Sequence, residues 1–105
     1  MNPYAVDRKK WAKLSLFEQL GNIGSEVGRT FQATNRGNSQ DTQAALTRAL
    51  DLFDATVDDK SRTKPQLKEI LRAKEQFLKA LDGETDKNGI ERYFTQYAVA
   101  ARISR

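Results

Sequence analysis

The sequence predicts an all-α fold: four amphipathic helices joined in an up-down-up-down four-helix bundle. Three observations lead there. Apolar residues recur every three to four positions through four long segments, capping residues stand where those segments open, and no stretch alternates with the period of two that a half-buried strand requires. The connections are only a few residues long, which makes consecutive helices antiparallel neighbours. The expected helices run over about 15–36, 39–58, 64–82 and 88–104, behind a basic N-terminal arm at 1–14.

The first helix opens on Ser15-Leu16-Phe17-Glu18, a capping-box pattern in which the Ser hydroxyl and the Glu carboxylate satisfy each other's orphan backbone donors. Leu16, Leu20, Ile23, Val27 and Phe31 then fall on one stripe. Asn35-Arg36-Gly37-Asn38 ends it, with Gly37 suited to the left-handed position after a helix. Asn38 or Ser39 caps the second helix, whose stripe is Leu46, Ala49, Leu50, Phe53 and Val57. Pro65 belongs in the first turn of the third, where its missing N–H costs nothing. Leu67, Ile70, Leu71, Phe77, Leu78 and Leu81 form its apolar face, interrupted only by Lys74 and closed by Gly83. After a polar turn at 84–89, with Asp86 or Asn88 as cap, Ile90, Tyr93, Phe94, Tyr97, Ala98 and Ala101 mark the last helix.

A chain of 105 residues with 38% apolar and 30% charged residues reads as one globular domain with a wet surface. Cysteine and histidine are both absent, which removes disulfides, thiolate nucleophiles, imidazole bases and the commonest zinc ligands. The expectation is a protein that is not an enzyme and holds no cofactor or metal. No apolar run approaches the roughly 20 residues needed to cross a bilayer, and charges in Met1 to Lys13 disfavour a secretion signal. A cytoplasmic protein without a membrane partner is expected.

The net charge of +4 admits an anionic partner, and its distribution sharpens that. Residues 1–14 carry Arg8, Lys9, Lys10 and Lys13 against Asp7 alone, with Tyr4 and Trp11 among them. Such a mixture can grip a phosphate backbone while a ring stacks on a base, although Trp11 can equally cap the open end of the bundle. Lys64, Lys68 and Arg72 repeat every four residues along the third helix as a basic ridge. The second helix is acidic, and Asp51, Asp54 and Asp58, with Asp59 adjacent, follow one another at spacings of three and four. Carboxylates so placed repel unless compensated. A Mg²⁺-dependent phosphohydrolase is the third reading they allow, but the Glu-x-x-Glu helix such enzymes pair with has no counterpart here.

Gly21, Gly24 and Gly28 share one face of the first helix. Each costs roughly 0.8–1 kcal/mol against alanine inside a helix, so something must approach that backbone closely. A neighbouring helix of the same chain or of another subunit would do so, and the glycines are the expected packing or oligomer interface. A protein-interaction adaptor using this face, or Tyr93, Phe94 and Tyr97, is the alternative function. Ser25 beside Glu26 lacks the base that activates a serine nucleophile.

The run Glu18-Gln19-Leu20-Gly21-Asn22-Ile23-Gly24-Ser25-Glu26-Val27-Gly28-Arg29, followed by Arg48-Ala49-Leu50-Asp51-Leu52, resembles the ribosomal-intervening-sequence-like four-helix-bundle family. That family includes the accessory variability protein of diversity-generating retroelements. The resemblance implies a basic homo-oligomer, such as a pentamer, that binds RNA or a reverse transcriptase and has no catalytic residues. The expected function is therefore a non-catalytic accessory protein that binds RNA, DNA or a nucleic-acid-processing enzyme through Arg8, Lys9, Lys10, Lys13, Lys64, Lys68 and Arg72.

Overall fold

The computed structural model describes residues 6–103, which form α1 (Arg8–Ala12), α2 (Leu16–Asn35), α3 (Ser39–Val57), α4 (Lys64–Leu81) and α5 (Lys87–Ile103) and no strand. Four long helices match the expected segments, and α1 is an addition within the basic arm. The capping chemistry explains the boundaries. Ser15 and Glu18 close the capping box of α2, Asn38 caps α3, and Thr63 with Gln66 makes a second capping box at α4. Gly37 and Gly83 follow α2 and α4 with φ of 69° and 81°, the left-handed region where any other side chain would be strained.

Each long helix sends one phenylalanine to a common centre. Phe77 lies 5.7 Å from Phe31 and 6.2 Å from Phe53, and Phe53 lies 6.1 Å from Phe94, ring centre to ring centre. Leu20, Ile23, Val27, Ala49 and Ile70 complete the buried core around them, and offset or edge-on ring contacts add to the burial of apolar area. Two leucines depart from expectation. Leu71 and Leu78 were placed on the apolar face of the third helix, yet they are 50% and 37% exposed. Ile70, Ala73, Phe77 and Ala80 already supply the buried stripe of α4, and Leu71 and Leu78 stand one residue further round, about 100° away.

Polar contacts run between successive helices. Thr42 of α3 meets Thr34 near the turn after α2, and Arg48 reaches Glu26 midway along both helices. Lys74 of α4 reaches Asp54, and Tyr93 of α5 reaches Glu69. Between α2 and α5 the backbones come very close. A Cβ placed on Gly24 would lie 2.5 Å from the Phe94 Cβ, and one on Gly21 would lie 3.0 Å from the Ala98 Cα. Gly28 has only the Glu91 Oε1 nearby, at 3.9 Å.

These contacts define two ends. Trp11 meets Thr56, Arg62 meets Gln19, and Phe17 packs on Tyr97, which gathers α1, the 58–63 connection and the last turns of α5. At the other end Arg36 pairs with Asp41, and the Lys87 ammonium sits 5.8 Å from the Phe31 ring centre. Among the described residues no helix is long and apolar enough to cross a membrane.

Candidate nucleic-acid interface

Five residues are too few to hold a helix in water by hydrogen bonding alone, so α1 depends on its cap and its anchor. The Asp7 carboxylate accepts from the backbone N–H groups of Lys9 and Lys10. Trp11 is buried to 7% exposure, and its indole Nε1 donates to Thr56 Oγ1 at 2.9 Å. Two flanking bonds hold the segment on α3: the Val6 N–H donates to Asp51 Oδ2 at 2.8 Å, and Arg8 Nη1 donates to Asp58 Oδ2 at 2.9 Å.

A buried polar chain continues inward from Trp11. Its carbonyl accepts from Gln19 Nε2 at 2.8 Å, and Gln19, fully buried, accepts from Arg62 Nη2. Arg62 also donates to Asp59 at 3.2 Å, and Asp59 accepts from the backbone and hydroxyl of Ser61. The Ser61 hydrogen bonds, with Arg62 beside them, hold the Asp59 carboxyl below its usual range. Polar groups buried this way must be satisfied from within, and of the buried side-chain polar atoms among the described residues the Arg62 Nε alone is left without a hydrogen-bond partner. The chain therefore fixes α1 and the 58–63 connection to the bundle as one piece.

The exposed charge follows from that anchoring. Lys9, Lys10 and Lys13 project from α1, and Lys60 and Lys64 from the connection and the first turn of α4; all five are exposed. None makes an ion pair among the described residues. The acids around them are engaged: Asp7 caps α1, Asp58 holds Arg8 and Asp59 holds Arg62. Arg102, exposed near the end of α5, borders the same end across a groove shared with Glu18.

Of the seven expected residues, the structure gathers Lys9, Lys10, Lys13 and Lys64 at one end and occupies Arg8 with Asp58. Lys68 and Arg72 are exposed further along α4. Lys60 and Arg102 join the group, although neither was among the seven. Base stacking by Trp11 is overturned, because its ring is buried and its N–H taken. Tyr4, its proposed companion, lies outside the described residues.

The other candidates are consumed by packing. Gly21 and Gly24 are covered by α5 within the same chain, and Phe94 is 1% exposed. Asp51, Asp54 and Asp58 take separate partners, the Val6 N–H, Lys74 and Arg8. Among the described residues no three carboxylates converge. Glu26 holds both Arg29 and Arg48, at 2.6 and 3.1 Å. A cleft of about 200 Å³ between α4 and α5 is bordered by Glu69, Arg72, Gln76, Ile90 and Tyr93. Burial and the Glu69 carboxylate push the Tyr93 hydroxyl well above its usual range, so it is neutral and donates to Glu69.

No protein-family model matches the chain, and no curated protein or solved structure matches it either.

Proposed function

We propose that this chain is a non-catalytic, cytoplasmic, nucleic-acid-binding protein, an up-down-up-down four-helix bundle whose α1 end grips RNA or DNA. The first pair of helices supports that topology: as α3 advances from Thr42 to Arg48, its partners on α2 recede from Thr34 to Glu26, the mark of antiparallel neighbours. One observation carries the function: Lys9, Lys10, Lys13, Lys60 and Lys64 are exposed at one end without an ion-pair partner among the described residues, while the acids there are already engaged. Flexible ammonium groups on a rigid platform suit phosphates at varied spacing and not a particular base sequence. Lys68 and Arg72 extend the cationic surface along α4. A nucleic-acid-processing enzyme such as a reverse transcriptase, brought in by the bound strand, fits the accessory role that the family resemblance implies.

Binding of this kind is driven by release of counterions. With about four to six phosphates neutralised, log K should fall linearly with log[salt] at a slope of about −3 to −5. Anisotropy of labelled single-stranded and duplex oligonucleotides, titrated with the protein over a series of KCl concentrations, measures it. Absence of binding at low salt, or an affinity indifferent to salt, would contradict the proposal.

A further inference from the structure

We propose that the outward face of α4 is a contact between two copies of this chain, packed antiparallel about a two-fold axis. Leu71 and Leu78 are 50% and 37% exposed and only about 20° apart round the helix, since seven residues nearly complete two turns. They border an open groove of about 300 Å³ together with Lys74, Glu75, Lys79 and Asp82. The core does not need them, because Ile70, Ala73, Phe77 and Ala80 fill the buried side of the same helix. Two large aliphatic side chains seven residues apart give one apolar position per heptad on a second face, a narrow stripe flanked by Lys74 and Glu75.

The order of charge along α4 and the turn after it selects the occupant. Lys64, Lys68 and Arg72 against Glu69 leave the first half positive, and Glu75, Asp82 and Glu84 against Lys74 and Lys79 leave the second half negative. A second copy laid antiparallel sets Leu71 against the partner's Leu78 and Lys68 beside the partner's Asp82, while Lys74 and Glu75 keep Asp54 and Lys79 of their own chain. A parallel copy would set Lys68 on Lys68 and Asp82 on Asp82, which is repulsive. The face is therefore self-complementary in one sense only, as a closed two-fold dimer requires. A helix about 27 Å long offers less than the roughly 800 Å² per partner of a standard-size interface, which makes this a small, reversible contact. The contact does not use Lys9, Lys10 or Lys13; it shares Lys68 with the cationic surface along α4, so it is read on the protein without nucleic acid.

Sedimentation equilibrium of the full chain, at concentrations spanning the micromolar range, tests the contact. The wild-type protein should fit a reversible monomer–dimer equilibrium, and the Leu71→Lys/Leu78→Lys variant should stay monomeric with an unchanged circular-dichroism melt. Lys68→Glu alone should weaken the dimer about tenfold, and Lys68→Glu/Asp82→Lys should restore it. A wild-type monomer throughout, or a dimer unaffected by the leucine substitutions, would overturn the proposal. A double charge swap that fails to restore association would overturn the antiparallel pairing.

Discussion

The two ends of this molecule handle the same kind of charge in opposite ways. At the end formed by the turns after α2 and α4, arginines are matched to acids: Arg36 pairs with Asp41 and Arg92 approaches Asp86 at 3.9 Å, as Arg29 and Arg48 share Glu26 midway along the bundle. At the α1 end the ion pairs are spent on fastening the backbone, Arg8 to Asp58 and Arg62 to Asp59, and the lysines are left over. A net charge of +4 would mean little if spread evenly. Here the excess collects where a buried network holds its platform still.

The largest expected effect comes from removing the anchor of that platform. Trp11→Ala deletes a buried ring and removes the indole donor from Thr56, while the backbone carbonyl at position 11 still accepts from Gln19, and should cost about 3 kcal/mol in a denaturant melt. It should also weaken oligonucleotide binding, since the lysines of α1 lose their fixed orientation. Next, Lys9→Glu/Lys10→Glu/Lys13→Glu should lower affinity about 100-fold or more at low salt with little change in stability. Reversing Arg36 and Arg92 at the far end, together with Arg29 nearer the middle of α2, should leave affinity within a few-fold. Equal losses from the two sets would erase the contrast.

Substitutions midway between the ends separate fold from charge. Gly24→Ala drives a Cβ into Phe94 and should cost about 1–2 kcal/mol net of alanine's better helix propensity, leaving affinity intact. Gly28→Ala meets no such neighbour and should stabilise by about 0.5–1 kcal/mol. The smallest effect concerns acid. The Asp59 carboxyl titrates lower in the fold than its ordinary 3.8. Its ionised form therefore stabilises the protein above that pH, and the contribution is lost as pH falls through the lowered value. The gap in melting temperature between wild type and Asp59→Asn should hold at neutral pH and shrink below pH 3.8.

The four long helices were legible because periodicity accumulates over 17 to 20 residues and each cap is a local signal. The glycine face was legible in part: Gly21 and Gly24 do meet a close neighbour and Gly28 does not, and which residues of α5 would meet the first two was not legible. Helix α1 escaped because five residues show no period. Gln19 and Arg62 carry no sequence signal that they meet, and only the fold shows Arg62 donating to the buried Gln19. Leu71 and Leu78 misled for the opposite reason: their spacing fits a stripe, but Ile70 and Phe77 define the one that turns inward. The basic residues could be named one by one. Their gathering at one end depends on α1 folding back onto α3, which no local pattern announces.

The most direct test is a lysine-acylation footprint, read by mass spectrometry with and without a bound oligonucleotide. Lys9, Lys10, Lys13, Lys60 and Lys64 should be protected while Lys79 and Lys87 keep their reactivity. Protection centred on Lys79 and Lys87, or spread evenly over all of them, would contradict the account.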